Sequence, residues 1–598
     1  MIQQKLIEEW LRLDKNESTR AEIASLSAAN NEAELEQRLG SRIEFGTAGL
    51  RGRMEAGFSR MNDLTIIQAS QGLCAYVVQM IPDAKTRGIV IGHDHRHHSD
   101  RWALLTAAAF IGEGVKAYLH RGLVHTPLVP FSVGRLNAAC GVMITASHNP
   151  KTDNGYKVYW ENGVQIIGPH DEGIAHAILD NLEPSPTAWN VENILTSPLC
   201  INATDKMVEA YFEQLSKLSH TRSINSQTDI KFVSTAMHGV GYRFAARAFE
   251  VFGFKPFFPV ESQKDPDPEF PTVPFPNPEE KGALNLALAE ADKQGAQYVL
   301  AQDPDADRFA AAERQSDNGW KVFSGDQLGS LLAAWTLECR RKENRSTEKT
   351  AMVASTVSSK MVRAMARSEG FHFVESLTGF KYIGNAALDL VKQGYEVPFG
   401  YEEAIGFMLG EEVRDKDGVA ATICFAELAV SLRGEGKTVA GYLDELYARY
   451  GYYQTSNSYF ICKDPSVIDR IFARLRSWLN NPFSPSSCPA RYPSSLGGLE
   501  IMVVRDLTIG HSYDSAAPGP DHMPALPLSG GQMITFTANS AAAGLTLTIR
   551  TSGTEPKIKY YLEGSGANRA EVGSLLEKAV DELRVQWMQA KENLLGEP

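Results

Sequence analysis

The feature that most constrains this chain is a recurring one: short, unbroken apolar runs that each stop at a polar, charge-bearing loop. Gly88-Ile89-Val90-Ile91-Gly92 stops at HDHRHHSD, Gly141-Val142-Met143-Ile144 at TASHNP, and the run Tyr298 to Ala301 at QDPDADR. Apolar runs of this length, bounded by turn residues, fit strands buried in a sheet. The second run cannot continue as a central strand, because Pro150 has no N–H to donate to a neighbour. Helical patterns separate the runs, at 63–82, 101–114, 171–182, 204–219 and near 279–294. Strand–helix alternation at this spacing predicts α/β domains with mostly parallel sheets. In such sheets ligands bind beyond the carboxyl ends of the strands, where HDHR and TASHNP both fall.

With 598 residues the chain has room for roughly four domains of about 150 residues each. Its formal net charge is −13, so its overall field repels nucleic acid and anionic membranes. An anionic ligand would need its positive contacts concentrated locally. The seven cysteines (74, 140, 200, 339, 424, 462 and 488) are scattered and form no CxxC pair, which points to reduced thiols in a cytoplasmic protein. The amphipathic N-terminal stretch carries Glu8, Glu9 and Asp14, unlike a leader peptide, and no apolar run reaches the ~20 residues of a membrane span. No nucleic acid and no membrane are expected as partners.

Each loop has a plain reading and a chemical one. FGTAGLRGR, with glycines at 46, 49 and 52 and with Arg51 and Arg53, is by itself a flexible loop or backbone that must approach something closely. His93, His95 and His97 would share a face if their strand continued, making a metal site conceivable, although no partner spacing is evident. Ser147 beside His148 at a strand end suits covalent chemistry, yet TASHNP alone reads as a turn. Asp303, Asp305 and Asp307, at alternate positions after a buried strand, fit a hard cation better than an acidic turn, and the loop lacks an EF-hand's later Gly and Glu. Glu402 and Glu403 either meet sugar hydroxyls or begin a helix. Thr378-Gly379-Phe380-Lys381 is a further Gly loop. Arg550-Thr551-Ser552-Gly553-Thr554 supplies side-chain and backbone donors for a phosphate. It lies in a C-terminal region of alternating segments (MITFTAN, LTLTIRT) and a helix near 570–592, expected to be α+β.

Taken together and in this order, FGTAGLRG, TASHNP, DPDADR, GYEEAIG and RTSGTEPK resemble the α-D-phosphohexomutase superfamily. SHNPKTDNGYKVYW, KDPDPEFPTV and GYEEAIG are similar to its eukaryotic branch of phosphoglucomutases with phosphopentomutase activity, which also contains glucose-1,6-bisphosphate synthases. The resemblance implies a heart-shaped architecture: three similar α/β domains with mixed sheets at 1–220, 221–335 and 336–455, then a mobile α+β domain at 456–598. It implies that Ser147 is a phosphoserine nucleophile and that Asp303, Asp305 and Asp307, with a Ser147 phosphoryl oxygen, hold one Mg²⁺ per subunit. It further places Arg51, His148, Lys157 and Arg308 around the transferring group and Glu402 on the sugar hydroxyls, with Thr47 and Lys381 also binding substrate and with Thr378 and Lys416 near the non-reacting phosphate. Arg550, Ser552, Gly553 and Thr554 would grip the non-reacting phosphate.

The implied reaction interconverts ribose, deoxyribose or glucose 1-phosphate with the terminal phosphate through a bisphosphate, which also serves as activator. The partners would be sugar phosphates, and the chain a monomer or weak dimer. An unaided serine is a poor nucleophile, so Lys157 or His148 is expected to manage its proton. Two departures, Ala404 where many relatives have Ser and Phe380 where some bacterial relatives have His, resemble the pentomutase branch. The rival readings are a bisphosphate synthase fed by an acyl phosphate and a non-catalytic sugar-phosphate sensor.

Overall fold

Three short helices open the chain, Ile2–Leu13, Glu17–Ala28 and Glu32–Leu39, the second and third capped by the side chains of Asn16 and Asn31. Their apolar faces (Ile7, Trp10, Leu13, Ile23, Leu35, Leu39) close over Phe58 and Leu64 as one small core. The computed structural model describes residues 2–46, 49–478, 492–515, 523–552 and 556–597. These divide into two compact units, Met1–Val353 with Gly379–Val439 and Ala354–Thr378 with Ala440–Pro598.

In the first unit a six-stranded sheet runs in the order Gly49–Arg53, Asp153–Trp160, Cys140–Ile144, Ile89–His93, Ala117–Leu119, Cys200–Ile201. Cys140–Ile144 is parallel to Ile89–His93 and antiparallel to Asp153–Trp160, so the sheet is mixed rather than mostly parallel. Strands Ile89–His93 and Cys140–Ile144 are buried along their whole length, which accounts for their unbroken apolar runs. Helices Asp63–Met80 and Ser99–Gly112 supply Ile66, Leu73, Trp102 and Phe110 to the core.

A five-stranded sheet follows, in the order Trp320–Val322, Phe309–Arg314, Tyr298–Gln302, Phe232–Thr235, Phe258–Pro259. Tyr298–Gln302 is parallel to Phe232–Thr235 and antiparallel to Phe309–Arg314. The third α/β segment has strands Thr350–Ser355, His372–Ser376, Glu396–Glu402 and Gly406–Leu409, the last two forming a hairpin in which Glu402 faces Gly406. One construction therefore recurs: each site-bearing loop is the turn by which a buried strand doubles back into an antiparallel neighbour. Each turn holds a non-glycine residue in the left-handed region, Ser147 (φ 53°), Ala306 (φ 53°) and Ile405 (φ 51°), a conformation that costs such residues about 1–3 kcal/mol and gathers at functional sites.

The second unit contains an eight-stranded sheet built around Lys557–Gly566, Ala543–Thr551, Met533–Asn539 and Leu499–Asp506, all paired antiparallel. Helices Pro465–Arg476 and Arg569–Glu582 bring Ile471, Phe472, Val572 and Leu576 into its core, an α+β arrangement as expected. Two expected helices differ. The one placed near 279–294 begins at Asn285, because PNPEEKG forms turns in which Gly282 takes φ 86°. The C-terminal α-helix ends at Glu582 and passes into a π turn, Leu583–Trp587, that seats the buried Trp587. Among the described residues no helix is long and apolar enough to cross a membrane.

Candidate active site

Ser147 sits just beyond strand Cys140–Ile144 and is 1 % exposed. Its amide donates to Thr145 Oγ1 (2.9 Å), which turns the backbone back on itself. Its Oγ donates to Asp303 Oδ2 (2.7 Å) and accepts from Arg308 Nη1 (2.7 Å). The serine thus lies between an acid and a guanidinium that arrive from a loop over 150 residues away in sequence. Gly155 lets strand Asp153–Trp160 pass close behind this turn, where a Cβ would lie 2.5 Å from the Thr145 carbonyl. On the far edge, Arg51 pairs in register with Gly155 and donates to Asn149 Oδ1 (3.3 Å).

The aspartates Asp303, Asp305 and Asp307 are fully buried, and each offers an oxygen within 4.8 Å of the others. Among the described residues this is the only such group suited to a metal ion. The set is all hard oxygen, and Asp305 Oδ1 is buried with no hydrogen-bond partner, so these residues fit Mg²⁺. Burial and its two acidic neighbours push Asp303 up to about 8, the electrostatic mark of a pocket that calls for positive charge. Burial would raise Asp305 as well, but Lys157 and the Thr126 hydroxyl hold it below the usual carboxylate range.

Cations ring the triad. Lys157 Nζ lies 2.8 Å from Asp305 Oδ2 and 2.9 Å from Asp307 Oδ2, and Lys416 Nζ is 3.4 Å from Asp307 Oδ2. Burial opposes the charge on Lys157, yet Asp305 and Asp307 outweigh it and hold the ammonium above the usual lysine range. His148 moves the other way: burial, Arg308 and Arg51 keep it well below the usual histidine range, so it is neutral. A guanidinium only donates, so His148 Nδ1, 3.0 Å from Arg308 Nη1 and 3.4 Å from Ser147 Oγ, carries a lone pair. Of the two expected bases, Lys157 is an ammonium paired with two carboxylates, and His148 is a neutral imidazole whose Nδ1 accepts from Arg308. Arg308 also donates from Nε to the Ala404 carbonyl (3.1 Å) and lies 3.9 Å from Glu402 Oε1, joining the turns 303–308 and 402–406. Burial raises the Glu402 carboxyl, against Lys416 and Arg308.

The remaining expected residues are placed as follows. Lys381 is buried in the first turn of helix Phe380–Lys392, where burial, against the pull of Asp171, lowers it to about 8. Thr378, Arg550 and Ser552 belong to the second unit. There Arg550 donates to Tyr561 Oη (3.0 Å), and Ser552 N to the Lys557 carbonyl (3.0 Å) across the turn. Thr47, Gly553 and Thr554 lie outside the described residues. The histidines of HDHRHH do not converge. His93 Nδ1 bonds the Asp94 carbonyl (2.8 Å), His95 packs edge-on to Phe270, and His97 meets Glu269 (2.6 Å), because the strand ends at His93.

Two residues were not anticipated. Thr126 donates to Asp305 Oδ2 at 2.6 Å, and Arg96 reaches across to the Ser147 turn. Neither carries a local signal. A threonine before a proline is ordinary, and Arg96 is one cation in a loop crowded with histidines.

Family profiles described as phosphoglucomutase/phosphomannomutase, alpha/beta/alpha domains I, II and III match residues 42–184, 209–318 and 324–450. The chain is 50 % identical over 569 residues to a human protein named phosphopentomutase, covering 93 % of this chain and 90 % of that one. It is 46 % identical over 602 residues to the human glucose 1,6-bisphosphate synthase, covering 98 % and 94 %. In fold it is similar to the open form of the Paramecium phosphoglucomutase pp63/parafusin, with TM-score 0.65 and 18 % identity over 92 % of this chain and 95 % of that one. The turns that carry the serine, the aspartates and the paired glutamates all fall within the matched segments, and the chain belongs to the phosphoglucomutase/phosphomannomutase family of the α-D-phosphohexomutase superfamily.

Proposed function

We propose that the chain is a sugar-phosphate mutase. It moves a phosphoryl group between the anomeric and terminal hydroxyls of ribose, deoxyribose and glucose phosphates, through phospho-Ser147 and a bisphosphate that turns over in the cleft. The observation that carries the reading is Ser147 Oγ held at 2.7 Å from both Asp303 and Arg308, at the mouth of a buried carboxylate triad.

Phosphoryl transfer needs in-line positioning and neutral surroundings for the equatorial oxygens more than covalent help. In the proposed cycle the Oγ–P bond of phospho-Ser147 breaks as the sugar hydroxyl forms its own O–P bond. The hydroxyl proton is returned to Oγ, with the neutral imidazole of His148 placed 3.4 Å away to carry it. The reverse step returns the other phosphate to Ser147. Arg308, Arg51 and Lys157 balance the charge of the moving group, and Glu402 accepts hydrogen bonds from the sugar. Mg²⁺, held by Asp303, Asp305, Asp307 and a phosphoserine oxygen, would act as Lewis acid on the phosphoryl group. Arg550 and Ser552, with Gly553 and Thr554, are proposed to grip a phosphate.

Ala404 favours the pentose side of this reading. Position 404 serves Arg308 through its carbonyl, and its methyl offers a hexose no hydroxyl contact. The 46 % identity to a glucose 1,6-bisphosphate synthase supports a second reading, bisphosphate synthesis from an acyl phosphate. Catalytic efficiencies on the three sugar 1-phosphates, measured with a bisphosphate activator and again with 1,3-bisphosphoglycerate, separate the two. Isomerisation should dominate, with the pentose phosphates preferred. Product formation only in the presence of the acyl phosphate would contradict the mutase assignment.

A further inference from the structure

We infer that Arg96 is the positioning residue of the phosphoryl-carrying turn, and that the segment Asp267–Phe270 holds it in place. The inference rests on the reading of Ser147 as a phosphate carrier. The Arg96 side chain comes from the loop after strand Ile89–His93 and is almost fully buried. Nη2 donates to the carbonyls of Ser147 and Asn149, both at 2.6 Å, and Nη1 to those of Pro150 (2.9 Å) and Asp153 (3.1 Å). Four carbonyls of one seven-residue turn therefore converge on a single planar fork, which ties down the turn that holds Ser147 in the left-handed region. An ammonium with three donors on one atom cannot reproduce that pattern.

The guanidinium is itself held on its other sides. Its carbon lies 5.0 Å from the centre of the Phe270 ring, which is 1 % exposed. Asp94 Oδ2 is 3.5 Å from Nε, while Asp94 Oδ1 accepts from Arg96 N (2.9 Å) and Ser99 Oγ (2.7 Å). At the rim, Glu269 meets Lys151 Nζ (2.7 Å) of the serine turn and His97 Nε2 (2.6 Å) of the arginine loop. These exposed pairs add little energy, but they show three segments meeting around one side chain. Arg96 touches no reacting atom. Its effect passes through the carbonyl of Ser147, and a displacement of about 1 Å in such a geometry costs about 100-fold in rate.

The test uses the full chain with Mg²⁺ and a bisphosphate activator. Arg96→Lys should lower kcat about 100-fold while KM for the sugar phosphate stays within about threefold. Added guanidinium, below concentrations that shift the melting temperature, should restore part of the activity of Arg96→Gly. Phe270→Leu, which leaves the fork but removes the ring behind it, should lower kcat about fivefold with KM unchanged. Wild-type kcat in Arg96→Lys, or a loss confined to KM or melting temperature with no rescue, overturns the inference. If the Arg96 variants do not fold, wild-type kcat in Phe270→Leu overturns it. A wild-type chain that neither turns over nor labels Ser147 would instead sink the mutase reading itself.

Discussion

Replacing Thr126 by valine isolates the orienting of Asp305, a carboxylate proposed to hold Mg²⁺. The Thr126 hydroxyl donates to Asp305 Oδ2 at 2.6 Å, the same oxygen that Lys157 reaches at 2.8 Å, while the Thr126 amide donates to the Asp305 carbonyl at 3.0 Å. Valine keeps the branched shape and the backbone bond and removes only the O–H. A hydrogen bond to a buried charged group is worth about 1.5–3 kcal/mol, and each 1.4 kcal/mol is about a factor of ten in an equilibrium constant. If that energy orients Asp305 for the cation, the concentration of Mg²⁺ giving half-maximal activity rises about 10- to 100-fold, the usual scale for partners that orient metal ligands. Activity at saturating Mg²⁺ should return to within about twofold of wild type, and direct Mn²⁺ binding followed by electron paramagnetic resonance should weaken in parallel. An unchanged metal dependence, or a loss of kcat that no Mg²⁺ concentration repairs, would refute the reasoning.

Two other perturbations probe the supports. In the second unit Glu375 Oε1 lies 2.9 Å from Lys360 Nζ, and the carboxylate also faces Arg363 and Arg505; burial would raise it, but the three cations hold it at about 2. A carboxyl depressed on folding stabilises above its unfolded pKa, so Glu375 contributes about 3 kcal/mol at neutral pH, lost as pH falls from about 4.5 towards 2. Denaturant midpoints of wild type and Glu375→Gln should converge over that range, and a pH-independent gap would contradict the account. Asn62 caps helix Asp63–Met80 by accepting from Thr65 N (3.1 Å) and donates to the Gly57 carbonyl (2.8 Å), so Asn62→Ala should lower stability by about 2 kcal/mol. A change below about 0.5 kcal/mol in the same assay would mean that the cap is dispensable.

What the sequence reveals of this site follows from distance along the chain. Ser147 and the three aspartates are legible because each sits in a short turn after an unbroken apolar strand, and strand ends of α/β sheets are where ligands bind. The mixed character of the sheets is less legible. Asp153–Trp160, which doubles back, is buried at every residue after Asp153, so it lacks the in–out alternation that marks an antiparallel strand with one wet face. The surroundings of Lys157 depend on carboxylates about 150 residues away, so its residue type alone does not announce an ammonium paired with Asp305 and Asp307. Thr126 and Arg96 escape sequence reading for the same reason: their partners lie 179 and 51–57 residues distant, and nothing in HTP or HDHR announces them. The histidine run was the opposite case, a conspicuous local pattern dispersed by the chain's turn after His93.

The central claim is that Ser147 carries the phosphoryl group. Its most direct test is to incubate the chain with Mg²⁺ and a ³²P-labelled sugar bisphosphate, digest it, and sequence the labelled peptide, beside Ser147→Ala treated identically. The account predicts label on the peptide containing Ser147, chase of that label into sugar phosphate on adding unlabelled substrate, and neither label nor mutase activity in a folded Ser147→Ala. Mutase activity retained by Ser147→Ala, or stable label on another residue that chases into product, would contradict it.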